Sequence, residues 1–471
     1  QESTCAHRQN LNHTHTRRFA TRGEPFRRTD ALRTLAGRRK PRRRARYITH
    51  TAATMPLTYK SLLLALAATH ALVPRANPKN SRLQRTRLHE KPIDSDEMAS
   101  LYQELRARQS DVEADRAQTL ERWRTGGCSS TVAVAASDWV RRMAFDGGTV
   151  AFGTASGGVG CCRVGQGPSR ADVVKAHPHA VEGQDLSKLH GAYDGGGVTA
   201  IDMAGRVVVS GGRGGQVQVH QAIPKGDSLT LEAVTTLDVS VGSTVSSVAV
   251  ADDGKTLVAC ALDGSIQGFA CVDEEWKATW SSKNDAAALT VILDEERDAC
   301  VVGFSDGEVY ALDVNSGEEL CEPFTTATGA GCRSLLVSDG HLFVGGADGS
   351  VVRRKLCVDT FAIHPSQLIL ETKADRLLPP HGDAVVAMCA PPCGGIVCTA
   401  SRDGSIRVWD SAAREPRALY GFQGFKVWIG SLCASADTLI SDGSDNAIIQ
   451  HTFDRDAEAR APVDPSLERR G

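Results

Sequence analysis

The stretch that decides the fold runs from His381 to Asp410 and reads HGDAVVAMCAPPCGGIVCTASRDGSIRVWD. After the His381-Gly382 pair comes an apolar run, 385–389, then a Pro- and Gly-rich turn at 391–395. A second apolar run, 396–400, leads into Arg402-Asp403-Gly404, and Ile406-Arg407-Val408-Trp409-Asp410 follows at once. Short apolar runs bounded by Gly, Pro and Asp predict three antiparallel strands of one small sheet. Asp403 precedes Gly404 because a two-residue hairpin turn needs positive φ, which these residue types tolerate.

Outward from this unit, the turn-plus-strand signature recurs along the chain. It reads Ser156-Gly157-Gly158-Val159, Gly214-Gly215-Gln216-Val217, Asp263-Gly264-Ser265-Ile266, Asp306-Gly307-Glu308-Val309, Asp348-Gly349-Ser350-Val351 and Asp445-Asn446-Ala447-Ile448, seven with the reference unit. The turn glycines 264, 307 and 349 are spaced by 43 and 42 residues, and Gly404 to Asn446 is again 42. A period of about 40–45 residues suits a four-stranded unit that buries its faces only by stacking on its neighbours. The wider gaps, 157 to 215 and 349 to 404, hold insertions at 165–190 and 357–380.

These residues resemble a repeat of the WD-repeat β-propeller family, down to the Trp409-Asp410 ending. The resemblance implies an all-β fold, a seven-bladed WD-repeat propeller across 128–455, with a short N-terminal helix and a disordered N-terminal leader. It implies a bonded tetrad in which Asp403 meets His381, His381 reaches Thr399 or Ser401 on the second strand, and that hydroxyl reaches Trp409. His, Ser and Asp together also suggest a nucleophilic triad, but the tetrad accounts for every member as a buried polar chain that stiffens the blade. Unit two is preceded by His190-Gly191, while units three, four and five end in Gly268-Phe269, Leu312-Asp313 and Lys355-Leu356. The complete tetrad is therefore expected once. After Phe453 the chain has no strand pattern, so the last blade needs an outer strand from elsewhere. The run Thr131-Val132-Ala133-Val134-Ala135 is spare, and the resemblance implies that it closes the ring and leaves no open sheet edge.

The net charge of −2 hides two unlike halves. Residues 1–93 hold 21 of the 54 basic and 4 of the 56 acidic side chains, so 94–471 carries 33 against 52, a net of −19. An acidic ring argues against a nucleic-acid surface. Thirteen of the fourteen cysteines lie between Cys128 and Cys433, an odd number with no framework spacing. Most sit in apolar strands, which reads as buried small hydrophobes in a reducing compartment. Cys389, Cys393, Cys398 and His381 have the residue types of a zinc site, but Cys389 and Cys398 fall on facing strands of the repeat, so no metal is expected. Cys161 and Cys162, being adjacent in a strand, face opposite sides.

Residues 1–54 hold 13 Arg and no apolar periodicity, and read as a basic disordered leader, either a nucleic-acid arm or translated leader sequence ahead of Met55. Residues 55–93 read as a signal peptide followed by a basic, transit-like segment. The apolar core 61–68 falls far short of the ~20 residues that span a bilayer, and Thr69-His70-Ala71 offers a small-residue cleavage site. The junction Ala68-Thr69-His70-Ala71-Leu72-Val73-Pro74, with five basic residues and no acid over 72–89, resembles the bipartite presequence of heterokont algae with secondary plastids. Residues 94–127 form a helix and linker. Asp94 and Glu97 make a capping-box-like start, Met98, Leu101, Tyr102, Leu105, Val112, Leu120 and Trp123 mark an apolar stripe expected on the propeller rim, and Gly126-Gly127 ends it. Trp123-Arg124-Thr125-Gly126 is similar to the linker between an F-box and a WD-repeat ring. Residues 456–471 read as a disordered tail.

No phosphate-binding loop, dinucleotide fingerprint or zinc-protease motif is present. The innermost strands are expected at 140–144, 198–201, 245–250, 288–292, 334–337, 385–388 and 429–433, apolar apart from Arg141 and Arg142. The expected function is thus a non-enzymatic protein–protein interaction scaffold, without cofactor and without stable membrane insertion. The alternatives are a substrate receptor of a ubiquitin-ligase-like assembly in cytosol or nucleus and a propeller enzyme with a channel active site. In the resembled family, ligands sit on the face bearing the Asp-Gly turns and the loops into each blade. That points to Trp139, Arg141, Tyr193, Arg213, Arg402, Phe425 and Lys426 as partner-binding residues, since aromatics and Arg are the usual anchors.

Overall fold

In the computed structural model all seven turn signatures fold as positive-φ turns. Gly157, Gly215, Gly264, Gly307, Gly349, Gly404 and Asn446 take φ between +60° and +92°. At Gly215 a Cβ would also collide with the carbonyl oxygen of Ser240, so close approach and backbone angle demand glycine together. The structure describes residues 95–165, 169, 171–177, 197–226, 228–326, 328–358, 368–370, 374–425, 429–444 and 446–453, and their side chains apart from 95–99, 357–358, 368–370 and 443–444.

Each turn joins the second and third strands of a four-stranded antiparallel sheet, and seven such sheets form a closed ring. Blade 1 consists of Val140–Asp146, Thr149–Thr154, Gly158–Arg163 and Val173–Lys175, laid from axis to rim in chain order. Blades 2, 3, 4 and 6 begin at Val198, Val245, Ala288 and Val385 and repeat that order. Blade 5, opened by Cys332–Ser338, has a divided rim. Leu368–Leu370 pairs the end of its third strand, and Asp375–Arg376 pairs Val352 and Arg353. Part of the expected 357–380 insertion is thus sheet.

Blade 7 is closed as the spare strand required. Its three strands, Leu432–Ala434, Thr438–Ser444 and Ala447–Phe453, take Cys128–Ala135 as their rim, in register from Cys128↔Phe453 to Ala135↔Ala447 with a bulge between Val132 and Val134. The ring therefore has a non-local closure, which removes an open edge.

Apolar strand faces pack between neighbouring blades rather than in one central core. Val209, Val217 and Val219 of blade 2 meet Val248, Leu257 and Ala259 of blade 3, all buried. Each such Val or Leu side chain contributes about 1.5–3 kcal/mol by leaving water. Cys161 and Cys162 point to opposite faces and join separate clusters. At the axis, hydroxyls tie blade to blade. Thr199 donates to the Val245 carbonyl at 2.6 Å, Ser246 to Ala288 at 2.6 Å and Ser334 to Val385 at 2.8 Å.

The helix, α1, spans Ser95–Thr125 and has 31 residues, over the segment expected from the start at Asp94 and the stripe ending at Trp123. Gly126, at φ +72°, ends it with its N–H on the Arg122 carbonyl at 3.1 Å. The capping residue Asp94 and the side chain of Glu97 lie outside the described residues. The apolar stripe does not pack along its length. Leu101, Tyr102 and Val112 are exposed, and only the last turns dock. Trp123 is fully buried, donates Nε1–H to the Ala436 carbonyl at 2.7 Å and lies 4.0 Å from the Phe453 ring. Tyr420 donates its hydroxyl to the Trp123 carbonyl at 2.6 Å. Arg116 meets the Cys393 carbonyl, and Arg124 pairs with Asp410 at 3.2 Å. Ala436 and Cys393 belong to turns between first and second strands, and Asp410 to one between third and fourth. The helix end is therefore on the face opposite the Asp-Gly turns, beneath blades 6 and 7.

Candidate functional site: the turn-bearing face and the axial channel

Blade 6 carries the full tetrad. Trp409 Nε1 donates to Thr399 Oγ1 at 2.8 Å, Thr399 Oγ1 lies 2.7 Å from His381 Nε2, and His381 Nδ1 lies 3.2 Å from Asp403 Oδ2. An indole nitrogen only donates, so the chain has one consistent direction, with Thr399 donating to Nε2 and Nδ1–H donating to Asp403. Between the two candidate hydroxyls, the structure selects Thr399. Ser401 is buried but serves the turn, donating to the Asp383 carbonyl at 2.8 Å and accepting from the Asp403 N–H at 3.1 Å. Burial lowers the His381 pKa and outweighs the pull of Asp403, so the imidazole is neutral. Burial also works against the Asp403 carboxylate, but hydrogen bonds from His381, Ser405 and the Gly382 N–H outweigh it and hold its pKa well below the usual range. A neutral His between a buried hydroxyl and a fully occupied carboxylate is a structural chain, and it presents no nucleophile to solvent.

Blades 2 and 7 hold altered versions that the sequence reading missed. His177 donates its N–H to the Gly157 carbonyl at 2.9 Å, as His381 does to Gly349 at 2.9 Å, so both occupy one station. His177 Nε2 lies 2.9 Å from Ser210 Oγ, while the residue sought there, His190, lies outside the described residues. Ser210 pairs Gln218 as Thr399 pairs Arg407, which puts His220 in the position of Trp409 and Gly214 in that of Asp403. In blade 7, Ser441 and His451 take the hydroxyl and Trp positions, 3.3 Å apart, and Ser130 of the closing strand meets His451 Nδ1 at 2.8 Å. Insertion 178–196 stretches the His-to-hydroxyl spacing from 18 to 33 residues, so period counting could not find His177.

The expected partner-binding residues divide on burial. Trp139 and Arg402 are half-buried on the turn-bearing face, and the guanidinium of Arg141 stacks 4.5 Å above the Trp139 ring. Arg213, at 1% exposure, and Arg141, at 7%, are interior side chains, which corrects their reading as exposed anchors. Phe425 is half-buried and stands at the His station of blade 7. Its carbonyl faces Gly404 as that of His381 faces Gly349, and its ring lies 6.4 Å from His451. Its packing role accounts for the aromatic. Tyr193 and Lys426 lie outside the described residues.

The axis is a channel lined by all seven inner strands, enclosing about 210 Å³. Arg142 lines it as expected. Arg333 does so too and was overlooked, because the inner strand of blade 5 starts at Cys332 rather than Ser334. Arg141 turns away to Trp139. Among the described residues no group of His, Cys, Asp or Glu is arranged to hold a metal ion, and no helix is long and apolar enough to cross a membrane. Burial pushes the thiols of Cys260 and Cys300 up to about 12, in keeping with inert small hydrophobes.

The ring and its bonded chain are those of a WD-repeat β-propeller. The family model "WD domain, G-beta repeat" matches residues 232–267 and 373–410, each running from the rim strand of one blade through three strands of the next. Among solved structures, the WD40 β-propeller domain of Doa1 is 13% identical, with 69% of this chain and 98% of that chain covered and a TM-score of 0.51. The computationally designed Ika8 protein is 18% identical over 69% of this chain and 100% of that chain, with a TM-score of 0.46. At such identity the Doa1 likeness is one of fold alone. No curated protein matches the chain.

Proposed function

We propose that this protein is a non-enzymatic scaffold that binds a protein partner on the turn-bearing face over blades 6, 7 and 1. The observation that carries this is Trp139, an aromatic left half-exposed at the mouth of the ring and held there by the stacked Arg141. A rigid, partly exposed aromatic with a cation against it is the kind of group that anchors interfaces. Affinity capture with the full chain and with Trp139→Ala tests it. A protein retained by the wild type and lost from the variant, at equal melting temperature, is expected. Identical captured sets from the two proteins sink the proposal.

We further propose that 55–93 is a signal plus transit presequence that takes the ring to a secondary plastid. The short apolar core followed by an acid-free basic segment supports this reading, as does the thiol-rich, acidic ring behind it. The F-box-like and channel-enzyme alternatives have less support. The similarity to an F-box linker is confined to four residues, and among the described residues the channel lining holds no acid or histidine, Asp442 standing at its mouth.

A further inference from the structure

A second cavity, of about 420 Å³, lies on the face opposite the Asp-Gly turns, where α1 meets blades 5 and 6. Three parts of the chain wall it. Arg116 and Leu120 come from α1, His341 and Phe343 from the second strand of blade 5, and Cys393 and Ala412 from loops of blade 6. Phe343 is fully buried, Leu120 and His341 are half-buried, and Ala412 is exposed. The helix is fastened across this corner. Arg116 Nε donates to the Cys393 carbonyl, and its guanidinium lies 3.6 Å from Asp339. Asp339 in turn accepts the Gly395 N–H at 2.6 Å, so α1, blade 5 and blade 6 are joined at one point. The volume falls in the range of ligand clefts, about 300–1,000 Å³, and Leu120, Phe343 and Ala412 give it apolar walls.

The adjoining rim is basic, although residues 94–471 carry a net −19. Buried Arg353 donates to the carbonyls of Ser411, Ala413 and Arg414 and pairs with Asp375 at 2.8 Å, which pins the loop after the third strand of blade 6 against the rim of blade 5. The Leu378 N–H donates to the Pro416 carbonyl at 3.3 Å and the Ala418 N–H to the Leu378 carbonyl at 3.1 Å, so 376–378 runs alongside 416–418. This fixed ledge begins two residues beyond Ala412. It carries Arg414, Arg417 and Arg376, all exposed, and Leu378, 55% exposed beside Arg417. Among the described residues here, Asp339, Asp375 and Asp410 pair with Arg116, Arg353 and Arg124, and Glu415 pairs with Arg417. Arg376 and Arg414 tip the balance to positive. The Arg417–Glu415 pair, 3.4 Å apart and largely exposed on both sides, is weak.

We propose that this corner binds an extended acidic segment of a partner protein, with one bulky apolar side chain seated in the cavity and the flanking carboxylates on Arg414, Arg417 and Arg376. An apolar cavity calls for a hydrophobic anchor, and a basic ledge on an acidic ring selects acidic neighbours for it. Guanidinium groups hold carboxylates through paired, charge-assisted hydrogen bonds. A polynucleotide meets the charge, but its long row of phosphates would run onto the acidic ring. The surface lies on the opposite face from Trp139, so its failure leaves the reading of that face untouched.

Fluorescence anisotropy on the full chain uses a labelled nonapeptide, four Glu on each side of one Leu, and a twin with Ala at the centre. Saturable binding of the Leu peptide is expected, with the Ala peptide roughly 10-fold weaker because it leaves the cavity unfilled. Ala412→Trp, at an exposed position on the cavity wall, fills the space, and the two peptides then bind alike. Arg414→Glu combined with Arg417→Glu weakens both peptides by roughly 10-fold, while Arg206→Glu, exposed on blade 2, does not. Melting temperatures equal to wild type separate these losses from unfolding. Should Ala412→Trp fail to fold, the Leu-to-Ala ratio of the wild type and the paired arginine variant decide. No binding of the Leu peptide, equal wild-type affinity for the two peptides, wild-type affinity in the paired arginine variant, or equally tight binding of a single-stranded oligonucleotide of the same charge overturns the proposal.

Discussion

Trp409 Nε1 and Thr399 Oγ1 are 2.8 Å apart inside blade 6, both fully buried, and this bond joins the third strand to the second across the sheet. The same hydroxyl serves His381, so one atom holds two ring systems in place. Thr399→Val keeps the shape and removes the hydroxyl, stranding Trp409 Nε1 and His381 Nε2. The expected loss is about 1–3 kcal/mol, read from urea unfolding. A loss no larger than the error of the fit means the chain does not form.

Trp409→Ala should cost about 3–5 kcal/mol, because it opens a cavity and breaks the same chain. His220→Ala, at the equivalent position of blade 2, should cost less. Its Nδ1 has no hydrogen bond, and no indole volume is lost. Matched melting curves of the two variants decide, and a more damaging His220→Ala reverses the ranking.

The docking of α1 depends on Trp123. Residues 100–117 are almost entirely exposed, so the helix is tethered by its last turns alone. Trp123→Ala should free it, with limited proteolysis cutting within 95–125 while the ring stays intact. Most helical stability in proteins comes from tertiary packing, so release should also lower the helical circular dichroism. Unchanged cleavage rates in the variant count against the tether.

Stability should change with acid in two opposed ways. Burial pulls His177 down to about 4, with neighbouring His220 adding to the effect, and burial also lowers His381. Their stabilisation is present above about 6.5, the unfolded value, and is lost as pH falls toward the folded one. Burial pushes Asp202 and Asp442 up to about 7, so their contribution is fully present below about 3.9 and is lost as pH rises through 7. Between pH 7 and 5, His177→Gln should therefore flatten the decline in unfolding free energy, and Asp442→Asn should steepen it. Parallel curves for the three proteins rule out these assignments.

For the proposed presequence, residues 55–95 fused to a fluorescent protein in a heterokont alga should give plastid fluorescence. Leu72→Asp should trap the fusion outside the inner compartment. Cytosolic or nuclear fluorescence with the unaltered segment removes the plastid reading and brings the F-box-like alternative forward.

The legible parts of this protein are those governed by local chemistry. A turn that needs positive φ selects Gly or Asn from its own few residues, so seven turns and their period could be counted from the sequence, and with them the blades. The closing strand was legible because an apolar run with no local partner needs one elsewhere. What remained hidden depends on register and on neighbours distant in the chain. Thr399 and Ser401 share one face of a strand, and only the pairing of Thr399 with Arg407, which places Trp409 two residues on, decides which hydroxyl the indole reaches. Arg213 looks like an exposed anchor until the packed ring covers it, because burial belongs to the ring and not to the segment. Arg142 and Arg333 lie 191 positions apart, and only closure of the ring turns them toward one axis.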